Sequence, residues 1–185
     1  MDAHLPVPAD PRRYASKANA LMNSEALFIN GVYESVLEEI FRVQRSLPEH
    51  IMFLQPYSSD AIVHLREHPP TINDPTRLFL SITTDLPKIH YAAEIVGWDD
   101  KRTLPEEKHN AINRLIWTLQ PGETGLYDAS RVEGKQSVNL LHIRRLRKLA
   151  NPFTVTELTK TNDGLPVSPD RTTAGGWVYV HNKDA

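Results

Sequence analysis

Residues 77–101 read RLFLSITTDLPKIHYAAEIVGWDDK, and this stretch decides the fold. Leu78, Leu80 and Ile82 alternate with Phe79, Ser81 and Thr83. A period of two is that of a β-strand, whose successive side chains point to opposite faces. Beyond Asp85-Leu86-Pro87-Lys88, the residues Ile89, Tyr91, Ala93 and Ile95 alternate with His90, Ala92, Glu94, Val96 and Trp98. Two alternating runs joined by a short turn predict a β-hairpin.

Upstream, Leu27–Ile29 is a short apolar run closed by the turn signal Asn30-Gly31. Val32, Val36, Leu37, Ile40, Phe41 and Val43 then recur at helical spacing, while Glu34, Glu38, Glu39 and Arg42 fall on the other side. That is an amphipathic helix, and Leu47-Pro48 sets its end. Ile51–Leu54 reads as a buried strand. Ser58, Ser59 and Asp60 offer N-cap chemistry for a short helix through Leu65, stopped by Pro69-Pro70.

Downstream, Pro105–Leu119 predicts a second amphipathic helix with a stripe of Ala111, Ile112, Leu115, Ile116 and Leu119, ended by Pro121-Gly122. Residues 122–137 read as loop and Val138–Ile143 as a strand. The continuation to Leu149 fits strand and helix equally, and Pro152 is expected to open a short helix around Thr156–Thr159. Residues 161–176 read as a long polar loop, of a length that usually marks function or mobility, and Trp177–Val180 as a closing strand. The fold class expected is α+β: a small, mostly antiparallel curled sheet or open β-barrel with flanking helices. Residues 1–24, with prolines at 6, 8 and 11, are expected to form an N-terminal arm and residues 25–185 a single domain.

Composition narrows the chemistry. With no cysteine among 185 residues there can be no disulfide, thiolate nucleophile or Cys-ligated zinc. No apolar run approaches the roughly 20 residues of a bilayer span, and Met1–Pro11 lacks a signal-peptide pattern. A cytoplasmic address with no membrane partner is therefore expected. The net charge of −2 argues against a protein living on non-specific phosphate contacts, because such proteins are usually basic. Any nucleic acid must be held by a local patch or a specific pocket.

Two stretches carry a family resemblance. The run 77–101, with Ala93-Glu94-Ile95-Val96 followed by Trp98-Asp99, resembles the central hairpin of the PUA-like group of small β-barrels, in particular its EVE and YTH branches. The run 138–160, VNLLHIRRLRKLANPFTVTELTK, is similar to the later EVE segment, where a Val-rich strand leads to a proline and a short T-x-x-E-L helix, here Thr154–Leu158. The similarity spans roughly 27–160 and departs at the first strand, where EVE domains open on a Trp-x-x-Lys step and this chain has Leu27-Phe28-Ile29-Asn30-Gly31. The arginine-containing loop common in EVE domains has no match either. The resemblance implies a PUA-like barrel that recognises DNA or RNA, with a modified base held between aromatic side chains.

Several residues fit that chemistry, each beside a plainer role. Trp117 lies opposite the expected stripe of its helix, where an indole can stack a base, anchor a partner, or be covered by the C-terminal segment. Trp98 with Asp99 can form one wall and one acceptor of a base pocket, or cap the core at a strand end. Tyr33 and Tyr57 sit where pockets of such a fold open; Asn30 and Gln55 can read a Watson–Crick edge, or serve as ordinary turn residues. Arg144, Arg145, Arg147 and Lys148 form the basic cluster, able to bind phosphate or to make a solvated face. Trp177 is expected to close the core.

The case for catalysis is poor. There is no G-x-S-x-G elbow, no H-E-x-x-H pair and no Gly-rich phosphate loop. His64 and His68 have ligand spacing, but the sequence offers no third ligand, so no metal or other cofactor is expected. The reading is a non-enzymatic nucleic-acid-binding module. The alternative is a protein-interaction or regulatory factor, for example in host defence, which the acidic balance, Trp117 and the 161–176 loop favour.

Overall fold

The computed structural model describes residues 25–56, 62–119, 139–170 and 176–183, without the side chains of residues 62, 117 and 119. The predicted arm 1–24, Tyr57 and the loop 122–137 lie outside the described residues. In chain order the elements are β1 (Glu25–Val32), α1 (Glu34–Gln44), β2 (Met52–Leu54), α2 (Ile62–Glu67), β3 (Thr76–Ile82), β4 (Asp85–Asp100), α3 (Glu106–Leu119), β5 (Asn139–Thr154), a single 3₁₀ turn (Val155–Glu157) and β6 (Trp177–His181). The fold is α+β, built on one open mixed sheet of six strands in the order β2-β5-β4-β3-β1-β6.

The hairpin is where the alternation placed it. β3 and β4 pair antiparallel, with Leu78 opposite Ala93 and Leu80 opposite Tyr91. β1 lies parallel to β3 and antiparallel to β6, so a single parallel pair interrupts an otherwise antiparallel sheet. Asn30-Gly31 does not end β1. Gly31 takes a φ of 70° inside a register shift between Ile29 and Val32, and its N–H donates to Ser81 Oγ at 2.9 Å. This is a bulge that glycine accommodates without strain.

The two faces of the sheet carry separate cores. One face gathers Leu27, Ile29, Leu78, Leu80, Tyr91, Ile95, Leu141 and Ile143 under α1 and α2, which contribute Leu37, Ile40 and Leu65. Burying each such side chain contributes about 1.5–3 kcal/mol. The opposite face is divided. Phe28, Phe79, Ile89 and Ala92 pack beneath the 3₁₀ turn and residues 158–167, whereas Phe53 and Leu140 receive Ile112 and Ile116 of α3. Ala111 and Leu115, expected in the stripe of α3, are exposed; the buried line runs instead through Ile112 and Ile116.

β5 is longer than its sequence suggests. The region around Pro152, expected to open a helix, remains strand to Thr154, and the short helix is one 3₁₀ turn fixed by a capping box between Thr154 and Glu157. The segment 161–176 is not loop throughout its described part: Thr159 bridges Pro166 and Val167 is buried. Among the described residues, no helix is long and apolar enough to cross a membrane.

Candidate functional site

The sequence-predicted residues fall into separate groups. Asn30 and Tyr33 sit at the end of β1 that neighbours Ile82, whereas Trp98 and Asp99 lie at the far end of β4, beyond the Thr76–Ile95 pairing. Along β3 that separation is roughly 20 Å. Asn30 is buried and its Oδ1 accepts from Ser81 Oγ at 3.0 Å, while Tyr33 is exposed at the N-cap of α1.

At the far end the polar groups bond one another. The indole N–H of Trp98 donates to Asn139 Oδ1 at 3.1 Å, and Lys101 Nζ donates to Gln55 Oε1 at 3.0 Å. Lys108 Nζ of α3 donates to Asp99 Oδ1 at 2.7 Å. The other oxygen of Asp99 is 2.9 Å from His142 Nε2, but both atoms are shut from solvent and poorly aligned for a bond. Burial outweighs the Asp99 charge and pushes the His142 imidazole below its ordinary range. Residue 97 leaves that ring close room: a Cβ there would fall 3.0 Å from Nδ1, and the ring would have to give by a few tenths of an ångström.

The basic cluster is engaged as well. Arg144 bonds Glu94 at 2.8 Å and Glu49 at 3.1 Å, and donates to the carbonyl of Ile72 at 3.1 Å. Arg145 bonds the same two carboxylates, and Lys148 reaches Glu38 at 3.1 Å. Arg147 is also partnered. These cations brace β5 against α1 and the chain around Glu49.

A different place combines space with unmet polar groups. A cleft of about 280 Å³ opens at the β1–β6 side, lined by Glu25, His64, Glu67, His68, Asp74 and Tyr179 together with the prolines of 69–75. α2 brings His64 over β6, with its ring 4.3 Å from that of Tyr179 and 5.1 Å from that of His68. His64 Nε2 lies 3.2 Å from Glu25 Oε2. A neighbouring hollow shares Glu25, His64 and Tyr179, and continues to Trp177, Thr161 and Asn162.

Tyr179 and Trp177 share one face of β6, two residues apart, and both are walls. The hydroxyl of Tyr179 and the indole N–H of Trp177 are buried without a hydrogen-bond partner. A buried donor left unmet costs about 1–3 kcal/mol, a cost that proteins rarely carry without use. Burial, and then the nearby Glu25 charge, push the Tyr179 phenol far above its ordinary range, so it stays a donor. Trp177 closes the core as expected, being 7% exposed.

No family model matches the chain, and neither a curated protein nor a solved structure is found similar to it. The site is therefore read from its own chemistry. Flat rings (His64, His68, Tyr179) line the cleft, and the carboxylates of Glu25, Glu67 and Asp74 supply acceptors. Among the described residues, no group of three or more histidine and acidic side chains is arranged to hold a metal ion. The spacing of His64 and His68 brought His64 and its neighbour to notice in the sequence; nothing local links them to Glu25, 39 residues before His64, or to Tyr179, 115 residues after it.

Proposed function

We propose that this chain is a binding module of PUA-like type that takes one base of a nucleic acid into the cleft between α2 and β6. The observation that carries the reading is the cleft itself, in which the rings of His64, His68 and Tyr179 stand beside the carboxylates of Glu25, Glu67 and Asp74. A nucleobase brings a flat face to stack on those rings and N–H groups for the carboxylates. Stacking on an aromatic wall contributes roughly 1–3 kcal/mol per base. The PUA-like assignment, and the choice of a base, including a modified one, as ligand, rest on the sequence resemblance carried by the stretches 77–101 and 138–160.

Charge shapes how that ligand is held. Glu25, Glu67 and Asp74 surround the cleft, and Arg144, Arg145 and Lys148 are spent on carboxylates. Affinity comes from the ring and its edge, and phosphates stay outside the mouth. The salt dependence should be shallow, unlike that of a protein that neutralises many phosphates.

The test is fluorescence anisotropy with labelled, mixed-sequence single-stranded RNA and DNA, with and without modified bases. Micromolar binding that His64→Ala weakens about tenfold, with little change between low and moderate salt, is the expected result. His64 is half-exposed on the short helix α2, so its loss should leave the fold intact. Absence of binding at about 100 µM protein, where even non-specific binders respond, would overturn the reading.

A further inference from the structure

Resting on the reading above, we propose that the α2–β6 cleft prefers a base that carries a positive charge, such as an adenine or cytosine methylated on a ring nitrogen. Three carboxylates stand at the cleft, those of Glu25, Glu67 and Asp74, and no lysine or arginine among the described residues lines it. Elsewhere the carboxylates are matched: Glu38, Glu49, Glu94, Asp99 and Asp100 each meet a lysine or an arginine. At the cleft, Glu25 meets only His64, at 3.2 Å, and among the described residues neither Glu67 nor Asp74 forms an ion pair. Like charges gathered without a counter-charge repel one another, and a cation held between them relieves that repulsion.

The walls decide which cation fits. The rings of His64, His68 and Tyr179 are flat, and with prolines at 69, 70 and 75 they enclose about 280 Å³, near the lower end for ligand pockets. A base methylated on a ring nitrogen spreads its charge over a flat heterocycle. The face that stacks on the rings therefore also feels the carboxylates, and a cation over an aromatic face gains further attraction. A neutral base stacks on the same rings and lacks that attraction. A lysine ammonium has the charge but no face to stack. A metal ion needs several ligands converging on one point, and among the described residues no three histidine and acidic side chains are so arranged. The guanidinium of an arginine is both flat and charged, and the experiment must tell it from a base.

Isomeric nucleosides isolate the charge, and they carry no phosphate. At neutral pH 1-methyladenosine and 3-methylcytidine are protonated cations, whereas their isomers N6-methyladenosine and 5-methylcytidine stay neutral. Calorimetric titration should find each cation bound at least about tenfold more tightly than its neutral isomer. The gap should narrow as added salt screens the carboxylates. Glu67→Gln combined with Asp74→Asn should close most of it; both side chains are exposed, and thermal unfolding checks the variant. The salt titration uses the native chain and stands even if that variant does not fold. Isomers bound equally, or the neutral one more tightly, with oligonucleotide binding retained, would overturn the charge preference and leave base binding standing. The amide of N-acetyl-arginine bound tightly while every nucleoside and oligonucleotide fails would overturn both, in favour of a peptide ligand.

Discussion

The side-chain carbonyl of Gln44 accepts the backbone N–H of Leu146 at 2.8 Å, across 102 residues of sequence. The same buried amide donates to the carbonyls of Ile143 at 2.9 Å and His50 at 2.6 Å. Between Ile143 and Leu146 the strand bulges at Arg145, a non-glycine residue at φ 54°. The glutamine thus stands in for ladder bonds that the kink in β5 removes. Gln44→Leu keeps the approximate volume and strands three backbone groups. It should lower the stability by about 3 kcal/mol, read as a lower urea midpoint at unchanged m-value.

Gly97 makes the complementary case, where an added side chain would press on a neighbour. The His142 ring that a Cβ would meet at 3.0 Å is hemmed in by Phe53, whose ring centroid is 5.2 Å away, and by Asp99. Gly97→Ala should cost about 1–3 kcal/mol, as overpacking does. His142→Ala in the same chain should recover most of that loss. Strict additivity of the two changes in chemical denaturation would show that no clash exists.

Acid stability should report on His142. Its imidazole is depressed by burial, so the unfolded chain takes up the proton at a pH where the folded chain resists it. Stability is full above the unfolded value of about 6.5 and falls as the pH drops below it toward the depressed folded value. The slope contributed is at most about 1.4 kcal/mol per pH unit. Melting temperatures of the native chain and of His142→Gln, taken from pH 8 to about 5, should converge on acidification. Parallel curves would refute the assignment.

Alkaline stability has the opposite sign. Tyr91 donates to Glu38 at 2.8 Å, and burial followed by that bond pushes its phenol up to about 12. Below the ordinary value of about 10 its contribution is complete; it is lost as the pH rises from there through the folded value. Tyr91→Phe should flatten the alkaline limb of the melting curve.

Tyr179 differs from Tyr91 in having no partner for its hydroxyl. Tyr179→Phe should therefore unfold no earlier than the native chain, and up to about 1 kcal/mol later. A variant that loses stability would mean that the hydroxyl serves the fold.

Much of the sheet was legible in the sequence because its strands keep period two. β3 and β4 do so almost throughout, and the hairpin follows from Leu78 to Ile95. β5 was legible only to Ile143, because the kink at Arg145 spaces its next buried residues at 146 and 149, a step of three that imitates a helix. The candidate site was hidden for another reason. Glu25, His64 and Tyr179 belong to β1, α2 and β6, and only the β1–β6 pairing brings them together. The residues singled out for their character, Trp98, Asp99, Gln55 and Arg144, proved to be bonded within the fold.

The position of β1 between β3 and β6 bears on how the molecule is made. Ala26 to Ile29 are apolar and wholly enclosed when folded. During synthesis they precede their second neighbour, Trp177–His181, by about 150 residues. Until that strand is made, the nascent chain must keep a sticky segment single-sided. Slow-pairing, long-range topologies of this kind lean on holding chaperones, and yield on expression should improve when those are abundant.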